Sequence, residues 1–382
     1  MRWGIIGLPR AGKTTVFNAL TGAGLPTGEH GARPVEVHTA TVDVPDARLE
    51  ALNNLLRPKK LTHAKVTYAD IGGLRADAGR EGLPGPLLNQ LTQMDGFVHV
   101  ARDFEDANLP HPAGSVDAAR DVAAMEAEFL LNDLLSVERR LERAREERRK
   151  GARDKAILDR EIELFEKVLG TLSEEKPLRG IAYQAEEERV LSGFGLLSRK
   201  PLLVVLNIAE GELAGEAPTS LLGALAVLGQ GGPAGETKAT SKVGELGLGA
   251  QRMALQGKLE MEIAQLPPEQ AADFLAEFGL PETGRARIIR TSYDLLRLIT
   301  FFTFNEDEGR AWALRRGGTA LEAAGTIHSD LERGFIRAEV IDWQGLCELG
   351  GLAAARAAGK LRLEGKTYPI SDGELVTIRF HV

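Results

Sequence analysis

The feature that most constrains the fold is a glycine-rich loop between a predicted strand and a predicted helix. Residues 3–7 form an apolar run typical of a buried strand, and residues 13–21 have a helical pattern. The loop reads Gly7-Leu8-Pro9-Arg10-Ala11-Gly12-Lys13-Thr14 and fits G-x-x-x-x-G-K-[ST]. Because both flanking elements are of the required type, we interpret the loop as a nucleoside-phosphate site in a parallel α/β domain, rather than as a chance match.

The residue types in this loop suit the binding of phosphate. The glycines let backbone N–H groups converge on phosphate oxygens, and the helix that follows presents its positive end. Lys13 is expected to neutralise the β- and γ-phosphates during catalysis, and the Thr14 hydroxyl is expected to bind Mg²⁺. The residues expected around the phosphates are Gly7, Leu8, Pro9, Arg10, Ala11, Gly12, Lys13, Thr14, Thr15 and Gly73.

A second phosphate-related pattern, Asp70-Ile71-Gly72-Gly73, follows the strand predicted at residues 64–70. The D-x-x-G arrangement is typical of GTPase-like proteins, in which the carboxylate reaches Mg²⁺ through water and the glycine N–H senses the γ-phosphate. We assign these roles to Asp70 and Gly73. The alternative is a plain turn at the end of a strand.

The residue after this glycine, Leu74, cannot orient an attacking water as the Gln of Ras-like enzymes does. His111, in a loop rich in proline, is our candidate for a catalytic group that polarises the water instead. The alternative is an ordinary solvated loop histidine, which is the commoner situation for this residue type.

A polar turn, Asn207-Ile208-Ala209-Glu210, ends the strand predicted at residues 201–207. GTPases carry N-K-x-D at this place, and its Asp accepts two hydrogen bonds from guanine. Here Glu is longer than Asp and Ile208 replaces the stacking Lys, which weakens the case for guanine and leaves adenine open. We assign Asn207, Ile208 and Glu210 to the base, with a plain strand-ending turn as the alternative.

Between the strands predicted at residues 97–101 and 201–207, the chain is highly charged and carries apolar residues at helical spacing. Gly151 separates two such periodic runs. We therefore predict an antiparallel, coiled-coil-like helical hairpin inserted into the α/β domain.

The carboxyl-terminal part of the chain has a different pattern. Its β-branched and aromatic runs alternate with turns, which predicts a small mixed domain. The predicted division is a phosphate-loop domain over residues 1–115 and 200–275, the hairpin over 116–199, a linker over 276–297 and the mixed domain over 298–382.

The overall charge hides a local excess of basic residues. The chain has 382 residues and a formal net charge of −8, which excludes a uniformly basic nucleic-acid-binding protein. Between residues 138 and 155, nine basic and five acidic side chains give a local balance of +4. Because phosphate backbones attract such a surface, Arg148, Arg149, Lys150 and Arg153 are candidates for contact with RNA or the ribosome. The alternative is a solvated hairpin with i,i+4 Glu–Arg pairs.

Targeting signals and cysteines are scarce in this sequence. It has a single cysteine, Cys347, and neither a signal peptide nor a run of about 20 apolar residues. We therefore expect a soluble, cytoplasmic protein without an internal disulfide, and we expect it to be a monomer.

These motifs resemble those of the YchF or Obg-like ATPase family, within the Obg branch of translation-factor phosphate-loop proteins. The resemblance covers nearly the whole chain and includes Leu74, since an apolar residue there is typical of the family. The replacement of N-K-x-D by N-x-x-E marks the family. Further matching segments lie at residues 98–106, 293–296, 334–341 and 372–382.

The resemblance implies an ATP-preferring nucleotidase that uses Mg²⁺, with GTP or GDP as the alternative nucleotide. It implies a G domain, an inserted helical arm and a C-terminal TGS domain of ubiquitin-like β-grasp fold. It also implies association with the ribosome in translation or stress responses, with the large subunit or its RNA as the expected partner. No contact with membranes is expected.

Three positions depart from the family pattern. In our alignment Pro34 occupies the place of the switch Thr that binds Mg²⁺, and proline has neither a hydroxyl nor an N–H. Arg10 replaces the Asn of the family loop G-L-P-N-V-G-K-S. Gln256-Gly257-Lys258 stands where a base-contacting S-A-K is expected, and we assign the Gly257 N–H to the base. We interpret the chain as a diverged member that retains nucleotide binding.

Three functions are compatible with these residues. The first is a slow ATPase coupled to ribosome association. The second is a nucleotide-dependent ribosome- or RNA-binding protein that hydrolyses little, because Pro34 replaces the switch Thr. The third is a conventional GTPase, against which the missing Asp of N-K-x-D argues.

Overall fold

The computed structural model describes residues 1–27, 37–72, 83–209, 250–277 and 282–381. The chain separates into two compact units, of which the first comprises Met1–Ala40 and Thr67–Leu295 and the second Thr41–Val66 and Leu296–Val382. This division differs in two places from the one expected from sequence. Residues 41–66 group with the carboxyl-terminal unit, and most of the stretch expected as a linker forms a helix of the first unit, at Gly284–Leu295.

A six-stranded sheet lies at the centre of the first unit. The first seven strands along the described chain are β1 (Arg2–Ile6), β2 (Val37–Asp43), β3 (Lys60–Thr62), β4 (Lys65–Ile71), β5 (Gly96–Asp103), β6 (Leu202–Ile208) and β7 (Ala250–Leu255). All of them except the short β3, which belongs to the second unit, form this sheet in the spatial order β2-β4-β1-β5-β6-β7. The pairings from β4 through β1, β5 and β6 to β7 are all parallel, which confirms the predicted α/β class.

Helices lie between most of the consecutive strands of the first unit, and three more helices follow its last strand. They are α1 (Lys13–Thr21), α3 (Gly85–Thr92), α4 (Ala118–Lys150), α5 (Lys155–Ser173), α6 (Ala185–Ser192), α7 (Gly257–Ile263), α8 (Pro268–Glu277) and α9 (Gly284–Leu295), while α2 (Ala47–Leu56) belongs to the second unit. None of the helices in the described ranges has both the length and the apolar character that a membrane span requires.

Helices α4 and α5 form the hairpin between β5 and β6 that the periodicity predicts. Gly151 ends α4 with a left-handed φ of 67°, which glycine adopts without steric cost. Asp154 caps the start of α5, since its side chain accepts a hydrogen bond from the Ile157 N–H. The two helices enclose an apolar core of their own, which includes Val137, Leu141 and Phe165.

The amino-terminal half of α4 holds the hairpin against the sheet. Met125 and Phe129 lie in the same buried cluster as Phe97 of β5 and Leu202 of β6, and the rings of Phe97 and Phe129 are 5.1 Å apart. Burying an aromatic side chain of this kind stabilises a fold by about 2 kcal/mol or more. The base of the hairpin is therefore fixed to the two strands whose ends carry site residues.

A second sheet of six strands forms the carboxyl-terminal unit, in the order β11-β10-β12-β8-β9-β3. Its later strands are β8 (Leu298–Phe304), β9 (Glu308–Arg315), β10 (Phe335–Asp342), β11 (Arg362–Glu364) and β12 (Glu374–Phe380). The helices here are α10 (Ala320–Ile327), α11 (Ser329–Arg333), α12 (Trp343–Leu349) and α13 (Leu352–Ala357). Alanines of α10 pack with Phe301, Val340 and Val376 on one face of the sheet.

Residues 41–66 join this unit through paired backbone and charge. Strand β3 is parallel to β9, and Lys60 pairs in register with Glu308. Arg48 of α2 donates a hydrogen bond of 2.8 Å to Asp372 and lies over the ring of Phe302. These contacts span more than 240 residues of sequence, which is why local patterns could not assign the segment.

Candidate functional site

Two glycines of the phosphate loop, residues 7–14, occupy places where a side chain would not fit. Gly7 has a φ of 143°, and a Cβ atom there would overlap the carbonyl oxygen of Val100. Gly12 has a φ of 93°, and a Cβ atom there would overlap the side-chain amide of Asn207. Both backbone conformations favour glycine. The fold of the loop therefore requires the two glycines that define the motif.

Helix α1 starts directly after this loop and has no side-chain cap at its positive end among the described residues. Gly12 is the residue before the helix, and neither a capping side chain nor an acidic residue occupies the first turn. The first N–H groups of a helix lack partners within it, and the helix dipole favours an anion near them. Thr15 lies in this first turn beside Thr14. The local structure thus suits phosphate, as the motif predicts.

Lys13 provides the positive charge nearest this helix end. Its Nζ donates a hydrogen bond of 2.9 Å to the carbonyl oxygen of Leu8, which keeps the ammonium against the loop. Burial lowers the pKa of Lys13 to about 8, and the nearby Asp70 carboxylate opposes that shift. Lys13 has no ion-pair partner among the described residues, and a desolvated ammonium of this kind is an electrostatically costly group that an incoming phosphate would stabilise.

Thr14 and Asp70 meet at the end of β4. The Thr14 hydroxyl donates a hydrogen bond of 2.7 Å to Oδ2 of Asp70, whose residue is only 6% exposed. A hydroxyl and a carboxylate in contact are hard oxygen ligands of the kind that Mg²⁺ prefers. These two residues, expected to be metal-binding from motifs 56 positions apart, are therefore brought together by the parallel pairing of β1 and β4.

Asn207 connects the phosphate loop to the start of α7. Its Nδ2 donates to the carbonyl oxygen of Ala11 at 3.1 Å, and its Oδ1 accepts the N–H of Gly257 at 3.0 Å. The Gly257 N–H, which we expected to offer to a base, is thus used inside the protein, and this expectation requires correction. A Cβ atom at position 257 would lie 2.6 Å from Asn207 Oδ1, so glycine permits the close approach.

The other residues assigned to the base receive less support from the structure. Ile208 is buried in the cluster between the sheet and α4, so its side chain packs in the core and does not offer a surface for stacking. Glu210, Gly73 and Pro34 lie outside the described residues. The proposed contacts of Glu210 with a base and of Gly73 with a γ-phosphate stay predictions.

Arg10 adopts a conformation that suits the Asn of the family loop better than it suits arginine. Its φ is 67°, in the left-handed region where Asn is tolerated and most other side chains are strained. Its guanidinium donates a hydrogen bond of 3.0 Å to the carbonyl oxygen of Pro110. This residue therefore links the phosphate loop to the loop that contains His111.

Arg102 organises the same loop from its other side, and the sequence did not single this residue out. It lies at the end of β5, is 1% exposed, and donates to the carbonyl oxygens of Phe104 and Leu109 at 2.9 and 2.7 Å. The guanidinium also lies over the Phe104 ring. An arginine inside an apolar strand run is the signal that could have drawn attention to it, since arginine is almost never fully buried unless paired.

His111 is neither solvated nor free in this structure. The Ala113 N–H donates to its Nδ1 at 3.1 Å, and its Nε2 lies 2.9 Å from Asp121 Oδ2, with the imidazole 3% exposed. Because Nδ1 accepts a hydrogen bond, Nε2 carries the proton that Asp121 accepts. The alternative of a solvated loop histidine is therefore wrong. Catalysis by His111 stays a prediction, and it requires the imidazole to leave both partners.

His99 is a buried titratable group that sequence reasoning missed. It lies in β5 between Phe97 and Ala101, on the face that packs against α4. Its Nε2 is buried without a hydrogen-bond partner among the described residues. Burial, with smaller contributions from the positive charges of Lys13 and Arg179, lowers the pKa of His99 to about 3. The imidazole is therefore neutral behind the phosphate loop at physiological pH.

Three of the four hairpin candidates for RNA contact are paired with carboxylates. Arg148 pairs with Asp159, Lys150 with Glu146 at 3.3 Å, and Arg153 with both Glu147 and Glu161 at 3.2 Å. Most hairpin pairs join α4 to α5 or its preceding loop. The i,i+4 spacing, given as the alternative to RNA contact, is represented among the described residues by Lys150–Glu146. The antiparallel packing of the two helices explains this difference. Arg149 is exposed, without an ion-pair partner in the described ranges.

The sequence of the chain is similar to that of full-length proteins from bacteria and plants. The "Ribosome-binding ATPase YchF" of Bacillus subtilis (strain 168) is 37% identical over 382 residues, with 99% of each chain covered. The protein of the same name from Escherichia coli O157:H7 is 33% identical over 380 residues, again with 99% of each chain covered. "Obg-like ATPase 1" of Oryza sativa subsp. japonica is 35% identical, covering 100% of this chain and 92% of the rice protein.

The fold of the chain and the sequence of its carboxyl-terminal domain are also similar to those of YchF proteins. The solved structure of the Schizosaccharomyces pombe YchF GTPase superposes with a TM-score of 0.80 at 27% identity, covering 99% of this chain and 97% of that one. A family model named YchF-GTPase_C and described as a protein of unknown function (DUF933) matches residues 298–381. By full-length sequence identity and by fold, this chain belongs to the YchF family.

Proposed function

We propose that the protein is a phosphate-loop nucleoside triphosphatase that prefers ATP, hydrolyses it slowly and associates with the ribosome in the cytoplasm. The observation that carries the proposal is the open positive end of α1, with buried Lys13 and the Thr14–Asp70 pair beside it. The names of the bacterial relatives, which are ribosome-binding ATPases, support the choice of nucleotide and partner.

The described residues would have the following roles in binding the nucleotide and Mg²⁺. The first-turn N–H groups of α1 and the Lys13 ammonium bind and orient the β- and γ-phosphates. Thr14 and Asp70 would hold Mg²⁺, which supplies positive charge to offset the charge that develops on the phosphate oxygens. Asn207 holds the phosphate loop against the residue that begins α7. This would fix the position of the phosphate-binding residues relative to the segment proposed to face the base.

The choice between adenine and guanine rests on the turn after β6. Its acidic residue is Glu210, and the longer side chain replaces the Asp that pairs with guanine in N-K-x-D proteins. Titrating the purified protein with fluorescent ATP and GTP analogues tests this directly, with ATP expected to bind at least tenfold more tightly. A preference for GTP would contradict the adenine assignment.

Turnover and partner are tested together. Phosphate release from ATP is measured with the protein alone and with added ribosomes or isolated large subunits, and a slow rate that ribosomes raise is expected. Sedimentation through sucrose reports association in the same samples. If the protein is absent from the ribosomal fraction at every salt concentration tested, the proposed partner is contradicted.

A second candidate function, nucleotide-dependent ribosome binding with little hydrolysis, is favoured by the state of His111. Both of its ring nitrogens are engaged, and Pro34 lacks the hydroxyl of a switch Thr. Changing Pro34→Thr should raise the rate of phosphate release if this residue limits turnover. An unchanged rate would show that another step is limiting.

The carboxyl-terminal unit is assigned by us to the TGS domain that the family resemblance implies. Its mixed sheet with α10 packed on one face supports a β-grasp fold. A monomer is proposed for the free protein, and sedimentation equilibrium of the nucleotide-free and ATP-bound forms is the measurement that checks it.

A further inference from the structure

Among the described residues, the ion pairs of the hairpin leave three arginines of α4 without a carboxylate partner: Arg139 and Arg143 on its side, and Arg149 at its tip. Arg140, Arg145, Arg148, Lys150 and Arg153 all pair within the hairpin. By contrast, Arg139 and Arg143 have no ion-pair partner in the part of the chain that the structure describes, and both are exposed. The Nε of Arg139 donates to the Leu135 carbonyl of its own helix, which leaves the end of its guanidinium for another group.

These two arginines border a cleft on the side of the hairpin. The cleft has a volume of about 220 Å³ and is lined by Ser136, Arg139, Arg140, Arg143 and Phe194. The four α4 residues lie on one face because they are three, four and seven positions apart. Arg140 pairs with Glu161 and Glu147, which fix its side chain along the wall of the cleft. The guanidinium groups of the other two arginines stay available to bind an anion.

Phe194 gives the cleft an aromatic surface. It follows α6, is half-buried, and packs against Phe165 with ring centroids 4.7 Å apart at 75°. The edge-to-face contact fixes the orientation of the ring. The three acidic residues of neighbouring α6 pair with other basic residues: Glu186 with Arg160, Glu187 with Lys167 and Glu188 with Arg199.

Unpaired guanidinium groups beside a fixed aromatic ring form the combination that binds unpaired nucleotides. Arginine forks match the geometry of phosphate oxygens, and bases of single-stranded RNA stack on aromatic side chains. A duplex would meet the arginines but keep its bases stacked inside, so the ring would have no role. An acidic peptide would likewise leave the ring without a stacking partner.

We propose that this cleft binds an unpaired nucleotide of RNA, with the base stacked on Phe194 and the flanking phosphates held by Arg139 and Arg143. The proposal deepens the ribosome association proposed above and rests on it for its biological setting. It places RNA contact on the side of the hairpin at these two arginines, whereas three of the four candidates at the hairpin tip are neutralised by carboxylates.

The experiment measures binding of a fluorescently labelled single-stranded 12-mer RNA to the full-length protein by anisotropy, at several salt concentrations. The double variant Arg139→Gln/Arg143→Gln should lose at least tenfold in affinity at low salt. Its slope of log affinity against log salt should fall by about 1.4, as expected for two lost phosphate contacts on a single strand. Phe194→Leu keeps apolar packing and should lose about fivefold or more, because base–aromatic stacking is lost while the slope stays unchanged.

The matched control is Arg148→Gln/Lys150→Gln, which removes the same charge from residues that already have carboxylate partners. It should change RNA affinity by less than twofold. An equal loss in the control, or tighter binding of a duplex of the same sequence, would overturn the cleft. Displacement of the RNA by polyglutamate at the same charge concentration would also overturn it, in favour of a site that responds to charge alone.

Ribosome sedimentation of the same preparations separates this proposal from the function on which it rests. A wild-type protein that binds the oligonucleotide through the cleft but does not sediment with ribosomes supports the cleft and contradicts the proposed partner. A protein that sediments with ribosomes but binds no single-stranded RNA overturns the cleft and leaves the partner intact. If Phe194→Leu shifts the thermal unfolding midpoint, the test of RNA binding in the cleft depends on the arginine double variant, because that variant alters only exposed residues.

Discussion

The phosphate loop and the helical hairpin both depend on basic side chains, but they hold them in opposite ways. Lys13 is a single buried ammonium whose pKa is lowered by desolvation, with a carbonyl oxygen and a nearby carboxylate as its neighbours. The hairpin has many basic residues, most of which are exposed, and several of these are paired with Asp or Glu. The comparison shows that the surroundings of a charge, more than the number of charges, decide what it can bind.

The physical reason is the balance between desolvation and pairing. A buried charge with incomplete compensation gains strongly from an incoming anion, whereas an exposed pair gains little because water and its partner already stabilise it. Arg139 and Arg143 are intermediate, since they are exposed but lack a carboxylate partner among the described residues.

The largest expected effect is the removal of the buried charge. Lys13→Ala should weaken nucleotide binding about a hundredfold, because truncating one partner of a buried charged contact costs about 3 kcal/mol. Isothermal titration with ATP measures the loss. Lys150→Ala is the matched control in the hairpin, with its exposed pair to Glu146, and it should leave nucleotide affinity unchanged. Equal effects of the two substitutions would remove the contrast between the regions.

The next effect concerns the neutral imidazole behind the phosphate loop. The pKa of His99 is about 3 in the folded protein against 6.5 for the free side chain, so only the unfolded state gains a proton as the pH falls below 6.5. Stability should therefore drop by about 2 kcal/mol between pH 7 and pH 5 from this residue alone. Urea unfolding at both pH values measures it, and His99→Leu should reduce the difference. If the variant loses as much stability as the wild type, other groups are responsible.

A smaller effect is the pH dependence of nucleotide affinity. With a pKa of about 8, Lys13 is charged below that pH and neutral above it in the free protein. Since phosphate binds the charged form, affinity should fall about tenfold from pH 7 to pH 9. Lys13→Arg keeps its charge over this range and should abolish the trend in any binding that it retains. A flat profile in the wild type would mean that Lys13 stays protonated.

The smallest effect is expected at the tip of the hairpin. Arg148→Gln breaks the pair with Asp159, in which both side chains are 45% exposed. Exposed pairs contribute about 0.5 kcal/mol or less, so the free energy of unfolding should change by no more than that. Urea denaturation checks this, with Arg149→Gln as the control without an ion-pair partner in the described ranges. A loss above about 1 kcal/mol would show that the pairing at the tip holds the hairpin together.

Local patterns in the sequence predicted much of the fold. Helix α1 spans the residues expected from periodicity, Gly151 ends α4 as predicted, and the strands before each motif lie within one or two residues of their expected positions. These features depend on neighbours within a few positions, such as a glycine with positive φ or an apolar run between turns. Such information is present in the local sequence.

The missed features all depend on contacts between distant residues. The use of the Gly257 N–H by Asn207, the pairing of His111 with Asp121 and the membership of residues 41–66 in the second unit are examples. The ion pairs between α4 and α5 belong to the same group. A motif shows which residue types are present, but the partner that a polar atom selects is fixed by the packed chain.

The close approach of Gly257 to Asn207 also limits how this protein can change through evolution. The S-A-K pattern that the family resemblance implies has alanine where Gly257 stands, and here a Cβ atom would lie 2.6 Å from Asn207 Oδ1. Substitution of Gly257 by alanine therefore requires a movement of Asn207, whose side chain donates a hydrogen bond to the Ala11 carbonyl oxygen in the phosphate loop. We therefore expect the effect of a substitution at position 257 to depend on which residue occupies position 207.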